Sequence, residues 1–240
     1  MRIDKYLHDQ QLGTRSQIHE LIKQRRVTLN EQPVKSFKQG VDPLQDRVIV
    51  DGQVLGHQTE FYYLMNKPMG VITATTDLSQ TTVMDLLSKD DFRSDLFPVG
   101  RLDKDTTGAL LITNDGQLAH QLVSPKTHVA KTYEAHVTGT LSNDQIQVLQ
   151  DGIELKNGDH VKADSASIVG QSGHETNVKL QLHQGKYHQI KRMFGALGQR
   201  VVQLHRAEFA GLGVTDLSDG NYRALTDKEI ELLKNKTSAD

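Results

Sequence analysis

Apolar residues recur along this chain with two periods, and the alternation between them marks where helices give way to strands. In "TRSQIHELIKQRR", Ile18, Leu21 and Ile22 fall on one face of a helical wheel, and Arg15, His19, Lys23, Arg25 and Arg26 cover the rest. Thr14 followed three residues later by Gln17 has capping-box spacing, so this helix starts at Thr14. It is the second of two short helices expected in the first forty residues. "VTLNEQPVKS" then reads as a hairpin, with a polar turn at Asn30-Glu31-Gln32 and a return after Pro33. "DRVIVDGQVL" adds a strand and an Asp-Gly turn, and the polar stretch Gly56 to Glu60 reads as a linker.

Beyond the linker the period-2 signal dominates. "FYYLMNKPMGVITAT" predicts strand, Pro-containing turn and strand; "TTVMDLL" predicts a short capped helix; "ALLITNDG" predicts a strand running into a turn. "KTYEAHVTG" alternates as a half-buried strand, with Tyr133, Ala135 and Val137 on one face and Lys131, Glu134 and His136 elsewhere. "LSNDQIQVLQDGI" is a helix opened by Ser142 and Gln145. "KADSASIV", "NVKLQLHQG" and "VVQLHRAEFAGLGV" are strands, and the amphipathic "KYHQIKRMFGAL" lies between the last two. "LTDKEIELLKN" closes with a helix boxed by Thr226 and Glu229. Helices scattered among hairpin-connected strands predict α+β, not a doubly wound parallel sheet. Two domains are expected, residues 1–59 and 60–240.

Composition narrows the chemistry. The chain of 240 residues has no cysteine, which removes disulfides, thiolate metal sites and thiol nucleophiles. The opening "MRIDKYLHDQ" lacks an apolar core, and no window approaches the roughly 20 apolar residues a bilayer span requires, so a cytoplasmic protein is expected. The net charge of −2 does not announce a nucleic-acid binder. Its distribution changes that picture: eight Lys/Arg face four Asp/Glu through Gly40, against twenty and twenty-six afterwards. A basic module attached to an acidic body follows. Eleven histidines form no HExxH pair, and neither a Walker loop nor a G-x-G-x-x-G turn occurs, so neither metal nor nucleotide cofactor is expected.

The candidate chemistry sits in "GRLDKDTTGALLITNDG", Gly100 to Gly116. Asp103 and Asp105 with Thr107 fit D-x-D-x-T, the pattern of metal-dependent aspartyl phosphatases. The upstream "LFPVGRL" is broken by Pro98 and Gly100, which suits that fold poorly, and an Asp/Thr turn capping its own backbone is the plainer reading. In "KYHQIKRMFGAL" Lys191 lies beside the apolar face made by Ile190, Met193, Phe194 and Leu197. By default it snorkels to water; if held, an Asp of the central loop is its natural mate. The chain has six Tyr, six Phe and no Trp, so Tyr133 belongs to a short list of surfaces on which a base can stack.

These residues converge on a family. "GRLDKDTTGALLITNDG" resembles the signature of ribosomal pseudouridine synthases of the RsuA type, "GKYHQIKRMF" and "LHR" resemble that family's later motifs, and "YYLMNKPMGVITAT" is similar to the opening of its catalytic domain. The N-terminal module resembles the S4-type RNA-binding domain that commonly precedes it. The resemblance implies a small S4-type domain followed by a catalytic domain with a mixed, largely antiparallel sheet. It implies that Asp103 is the catalytic aspartate, Lys191 its basic partner, and Tyr133 the residue that stacks on the base and assists proton removal. By the same resemblance Arg101 contacts RNA and helps hold the flipped nucleotide, and Leu204 packs against the base. For Asp105 a loop-shaping role is expected. Arg15, Lys23, Arg25 and Arg26 are candidates for bridging RNA phosphates.

The implied reaction is isomerisation of uridine to pseudouridine in ribosomal RNA. It requires no cofactor and is carried out by a monomer, on RNA within a small-subunit particle. "KYHQIKRMF" looks closer to enzymes acting on 16S small-subunit rRNA than to those acting on 23S. Three alternatives stand beside it: a 23S enzyme, a Mg²⁺-dependent phosphatase, and a non-catalytic RNA-binding assembly protein.

Overall fold

The computed structural model describes residues 1–10, 12–43, 45–55, 60–124, 127 and 129–237. The linker expected at Gly56 to Glu60 lies, except for Glu60, outside the described residues. The chain divides into two units, Met1–Glu60 and Phe61–Asp240.

In the first unit, helices α1 (Ile3–Asp9) and α2 (Arg15–Lys23) precede strands β1 (Val27–Leu29), β2 (Gln32–Pro33), β3 (Val48–Val50) and β4 (Gln53–Val54). The strands form an antiparallel sheet in the order β2-β1-β3-β4. The Thr14–Gln17 capping box forms, and Ile18 and Ile22 turn inward to meet Ile3, Leu7, Val27 and Val48. Leu21 sits at the rim of that core. The first hairpin is tighter than expected. Asn30 and Glu31 both take positive φ, 49° and 67°, so they complete a two-residue turn and leave Gln32 free to pair with Leu29. Backbone twist of this hand matches the twist of the flanking strands.

The second unit begins with β5 (Tyr62–Lys67), β6 (Phe97–Pro98), β7 (Thr106–Thr113), α3 (Gly116–Val123) and β8 (Lys131–Thr138). It continues with α4 (Asn143–Asp151), β9 (Ile153–Glu154), β10 (His160–Val161), β11 (Ser165–Ser172), β12 (Glu175–Leu182) and α5 (Gln189–Ala196). It ends with β13 (Val201–Phe209), β14 (Leu212–Gly213), β15 (Tyr222–Ala224) and α6 (Asp227–Thr237). One sheet runs β11-β12-β8-β13-β7-β5-β15, with β14 beside β13 and β6 beside β7. Its described strand pairs are antiparallel except β7 with β13, which is the mixed, largely antiparallel sheet expected.

Strands β5 and β7 are buried almost throughout because both of their faces are covered. Leu64, Ala109 and Leu111 pack toward α3 and α6, whereas Tyr63, Met65, Leu110 and Ile112 pack with Val83 and Met84. Towards the other edge β12 alternates buried and exposed, and α4 and α5 cover its inner face.

Three local expectations are corrected. The residues after Pro68 do not form a strand: Ile72 makes one isolated bridge to Thr82, and Thr73 turns its hydroxyl to the Leu102 backbone. "TTVMDLL" is a single 3-10 turn, Val83–Leu86, too short to propagate as an α-helix although Thr82 and Asp85 cap it. Helix α3 was not expected. Asp115 accepts from Leu118 N, and Leu118, Ala119 and Leu122 supply its buried face.

Candidate active site

The site forms where the only parallel pair of the described sheet meets its antiparallel neighbour. Pairing of β7 with β13 sets Thr106 opposite Leu204, and pairing of β13 with β8 sets Leu204 opposite Ala135 and Arg206 opposite Tyr133. Asp103 lies three residues before Thr106, in a loop tied down at successive positions. Leu102 exchanges two hydrogen bonds with the Thr73 hydroxyl, at 2.8 and 3.2 Å. The Asp103 carbonyl accepts from Thr106 N, and the Lys104 carbonyl accepts from Gly70 N.

Lys67 anchors the end of the loop. Its side chain is fully buried, and its ammonium donates to the carbonyls of Thr106 and Pro68 at 2.8 and 3.0 Å. Burial pushes Lys67 down to about 8, and the nearby Asp103 and Asp105 pull the other way. Sequence reasoning passed over this lysine, although it closes the apolar run "YYLM" where a solvated cation is out of place.

Helix α5 supplies the partner of the acids. Ile190, Met193 and Phe194 are buried, and Leu197 packs at the edge of their core. Lys191 is therefore held at the margin of the helix's buried face, and it does not snorkel. Its ammonium donates to Asp103 Oδ2 at 3.0 Å and to Asp105 Oδ1 at 2.6 Å. Burial works against its charge, but the bonds to Asp105 and Asp103 outweigh that and raise its pKa. The same bond from Lys191 lowers the pKa of Asp105. Asp105 thus does more than shape the loop. His188, just before the helix in a left-handed conformation at φ 47°, places Nε2 3.3 Å from Asp103 Oδ1 and stacks on Tyr187. Nothing in the sequence singles out this histidine, because no local signal reveals a left-handed turn there.

Asp103, Lys191, Arg101, Tyr133 and Leu204 all line one cavity of about 90 Å³, so the five catalytic-domain residues singled out in the sequence come together. Tyr133 is half-buried, Leu204 is buried and Arg101 is exposed at the mouth. One reading of β8 changes: Lys131 shares the face of Tyr133, as period 2 requires, and lines a second cavity beside it.

The four basic residues of the first unit are unequal. Arg15 opens α2, and Arg25 follows it at φ 56°; neither makes an ion pair among the described residues. Lys23 lies 3.9 Å from Glu20, and Arg26 makes a two-point ion pair with Asp51, both bonds at 2.6 Å.

Residues 61–196 match the RNA pseudouridylate synthase family, and residues 1–43 match the S4 domain. The chain belongs to the RNA pseudouridylate synthase family. This synthase is 42% identical to an uncharacterized RNA pseudouridine synthase of Bacillus subtilis, over 97% of the chain and 98% of that relative. It is 37% identical to ribosomal small subunit pseudouridine synthase A of Escherichia coli, over 96% of the chain and 98% of the relative. A crystal structure of a pseudouridylate synthase superposes with a TM-score of 0.65 at 33% identity, over 97% of this chain and 99% of that one. The protein is thus an isomerase that converts uridine to pseudouridine in RNA, and the phosphatase and non-catalytic readings of its central loop are not favoured. No described helix is long and apolar enough to cross a membrane.

Proposed function

We propose that this pseudouridine synthase acts as a monomer in the cytoplasm on one uridine of 16S small-subunit rRNA, within a partly assembled particle, and that Asp103 is its catalytic carboxylate. The observation that carries the assignment of Asp103 is its position. The carboxylate lines the cavity with Lys191 and His188 on its two oxygens, while Tyr133 and Leu204 line the same space.

The chemistry follows from that arrangement. A uridine leaving its stack loses a few kcal/mol, which stacking on Tyr133 and packing on Leu204 offset. Asp103 acts at C1′ as the N1–C1′ bond breaks, with the Lys191 ammonium bonded to it as its charge partner. The freed uracil turns within the cavity, C5 joins C1′, and the C5 proton leaves with assistance from Tyr133. Arg101, exposed beside the cavity, contacts the RNA and helps hold the flipped nucleotide out of the helix. Arg15, Lys23 and Arg25 of the S4 domain contact phosphates. Small-subunit rRNA is favoured as substrate by the relatives that carry that name across nearly their whole length.

Tritium release from C5-labelled uridine in small- and large-subunit rRNA tests this reading. Release is expected from small-subunit rRNA alone, unchanged by EDTA and abolished by Asp103→Asn. Release from large-subunit rRNA alone reassigns the substrate, and release that survives Asp103→Asn removes the carboxylate from the reaction.

A further inference from the structure

A second cavity adjoins the first across Arg101 and Tyr133, with a volume of about 340 Å³. Val99, Val123 and Phe209 give it apolar walls, and Lys131, Arg206 and Lys186 are among its polar residues; no carboxylate lines it among the described residues. Arg206 is only 3% exposed. Its Nε donates to the Ala109 carbonyl at 2.7 Å, and its Nη2 is buried without a partner among the described residues. The Lys131 ammonium donates to the carbonyls of Val129 and His183, both at 3.0 Å, which leaves one of its three hydrogens. Both cations lie over the Phe209 ring, at 4.9 Å for Arg206 and 5.9 Å for Lys131.

A buried donor with no acceptor is costly, and the reaction described above does not use either cation. What fits is a flat group with apolar faces and an edge made of acceptors. A phosphate would gain nothing from the valine and phenylalanine walls. A nucleobase gains from both, and a base edge that carries acceptors answers the open Arg206 and Lys131 donors, although Gln184, His183 and Tyr133 also line the space. On the major-groove edge guanine (O6, N7) and uracil (O4) present acceptors, whereas adenine and cytosine present an amino donor.

We propose that this cavity binds a base neighbouring the target uridine in the same RNA strand and selects uracil or guanine there through Arg206 and Lys131. The proposal rests on the synthase activity and adds to it a determinant of which uridine is modified. Burial, reinforced by Arg206, pushes the Lys131 ammonium down to about 8, so an electron-rich occupant restores what the pocket takes from its charge.

The test uses the full chain and transcripts spanning the mapped target. Nucleotides on each side of that uridine carry uracil, guanine, cytosine, adenine or no base, and tritium release gives kcat/KM. At one flanking position uracil or guanine is expected to exceed cytosine, adenine and the abasic site by about tenfold. Lys131→Met is expected to erase that ranking. Val123→Trp, which fills the cavity from its exposed rim, is expected to bring the keto-base transcripts down to the abasic level, with thermal melting as the check on folding. Indifference to every flanking base overturns the subsite, as does a ranking that persists in both variants, while wild-type release continues. Absence of wild-type release from any RNA removes the synthase reading and the subsite with it.

Discussion

Lys191 shows how much a single side chain decides. It joins two carboxylates from a loop 86 and 88 residues away, and the shorter bond goes to the more exposed acid: 66% for Asp105 against 33% for Asp103. Asp105 therefore steers the ammonium, and Asp103 faces the cavity with it. Lys191→Met is expected to lower single-turnover release by about 10²-fold, because a preorganised charge partner is lost from a partly dehydrated site. Asp105→Asn is expected to stay within about fivefold of wild type, since Lys191 then turns wholly to Asp103. Equal losses in the two variants would count against this division of roles. In the sequence the lysine's place beside the apolar face was legible, but whether it pairs or snorkels depends on a loop brought in from elsewhere.

At the scale of elements, the helices were legible where a cap and an apolar stripe coincide. Thr14–Gln17 and Ser142–Gln145 form their boxes, and Thr226 and Glu229 bond reciprocally at the start of α6. Glu229 also makes a two-point ion pair with Arg223 on β15, which joins the last helix to the sheet edge. The Arg223 bond is the main cause holding Glu229 at about 2, below its ordinary value of 4.5. Because its folded pKa is depressed, the stabilisation is complete above the unfolded value and is lost as pH falls toward 2. Glu229→Gln should cost about 1 kcal/mol at pH 7, and melting curves of the two proteins should draw together progressively as pH falls from about 4.5 toward 2. A constant gap down to pH 2 would show that packing, not charge, ties α6 down. Helix α3 went unread because its short apolar set follows a turn signal that served equally well to end a strand.

At the scale of the whole molecule, charge is divided by sequence position, with basic residues in excess through Gly40 and acidic residues in excess after it. Within the basic part the structure separates cations that are already neutralised from those that are not. Arg26 is clamped by Asp51, whereas Arg15 and Arg25 have no ion pair among the described residues. Reversal at Arg25 is therefore expected to weaken rRNA binding and to lower the slope of log Kd against log salt by about one. Reversal at Arg26 should change that slope less, because Asp51 already neutralises that guanidinium. Binding titrations across a salt series measure both, and equal slopes for the two variants would contradict the distinction.

The sequence by itself determined what is local. Caps, turn pairs and the two hydrophobic periods are written in residues a few positions apart, and these set the α+β class and most element positions. Resemblance to a family went further, since it implied roles for Asp103, Tyr133, Lys191, Arg101 and Leu204. Only the tertiary structure decided what those residues do to one another. The parallel joint of β7 and β13 depends on Gly108 at φ 109°, where a Cβ would collide with the Arg206 backbone. That close approach positions Thr106 and Leu204, and with them the Asp103 loop. Contacts across nearly a hundred residues, such as Lys191 to Asp103 or Arg206 to Ala109, have no period and no spacing rule, because they arise from sheet register and from the faces that helices bury.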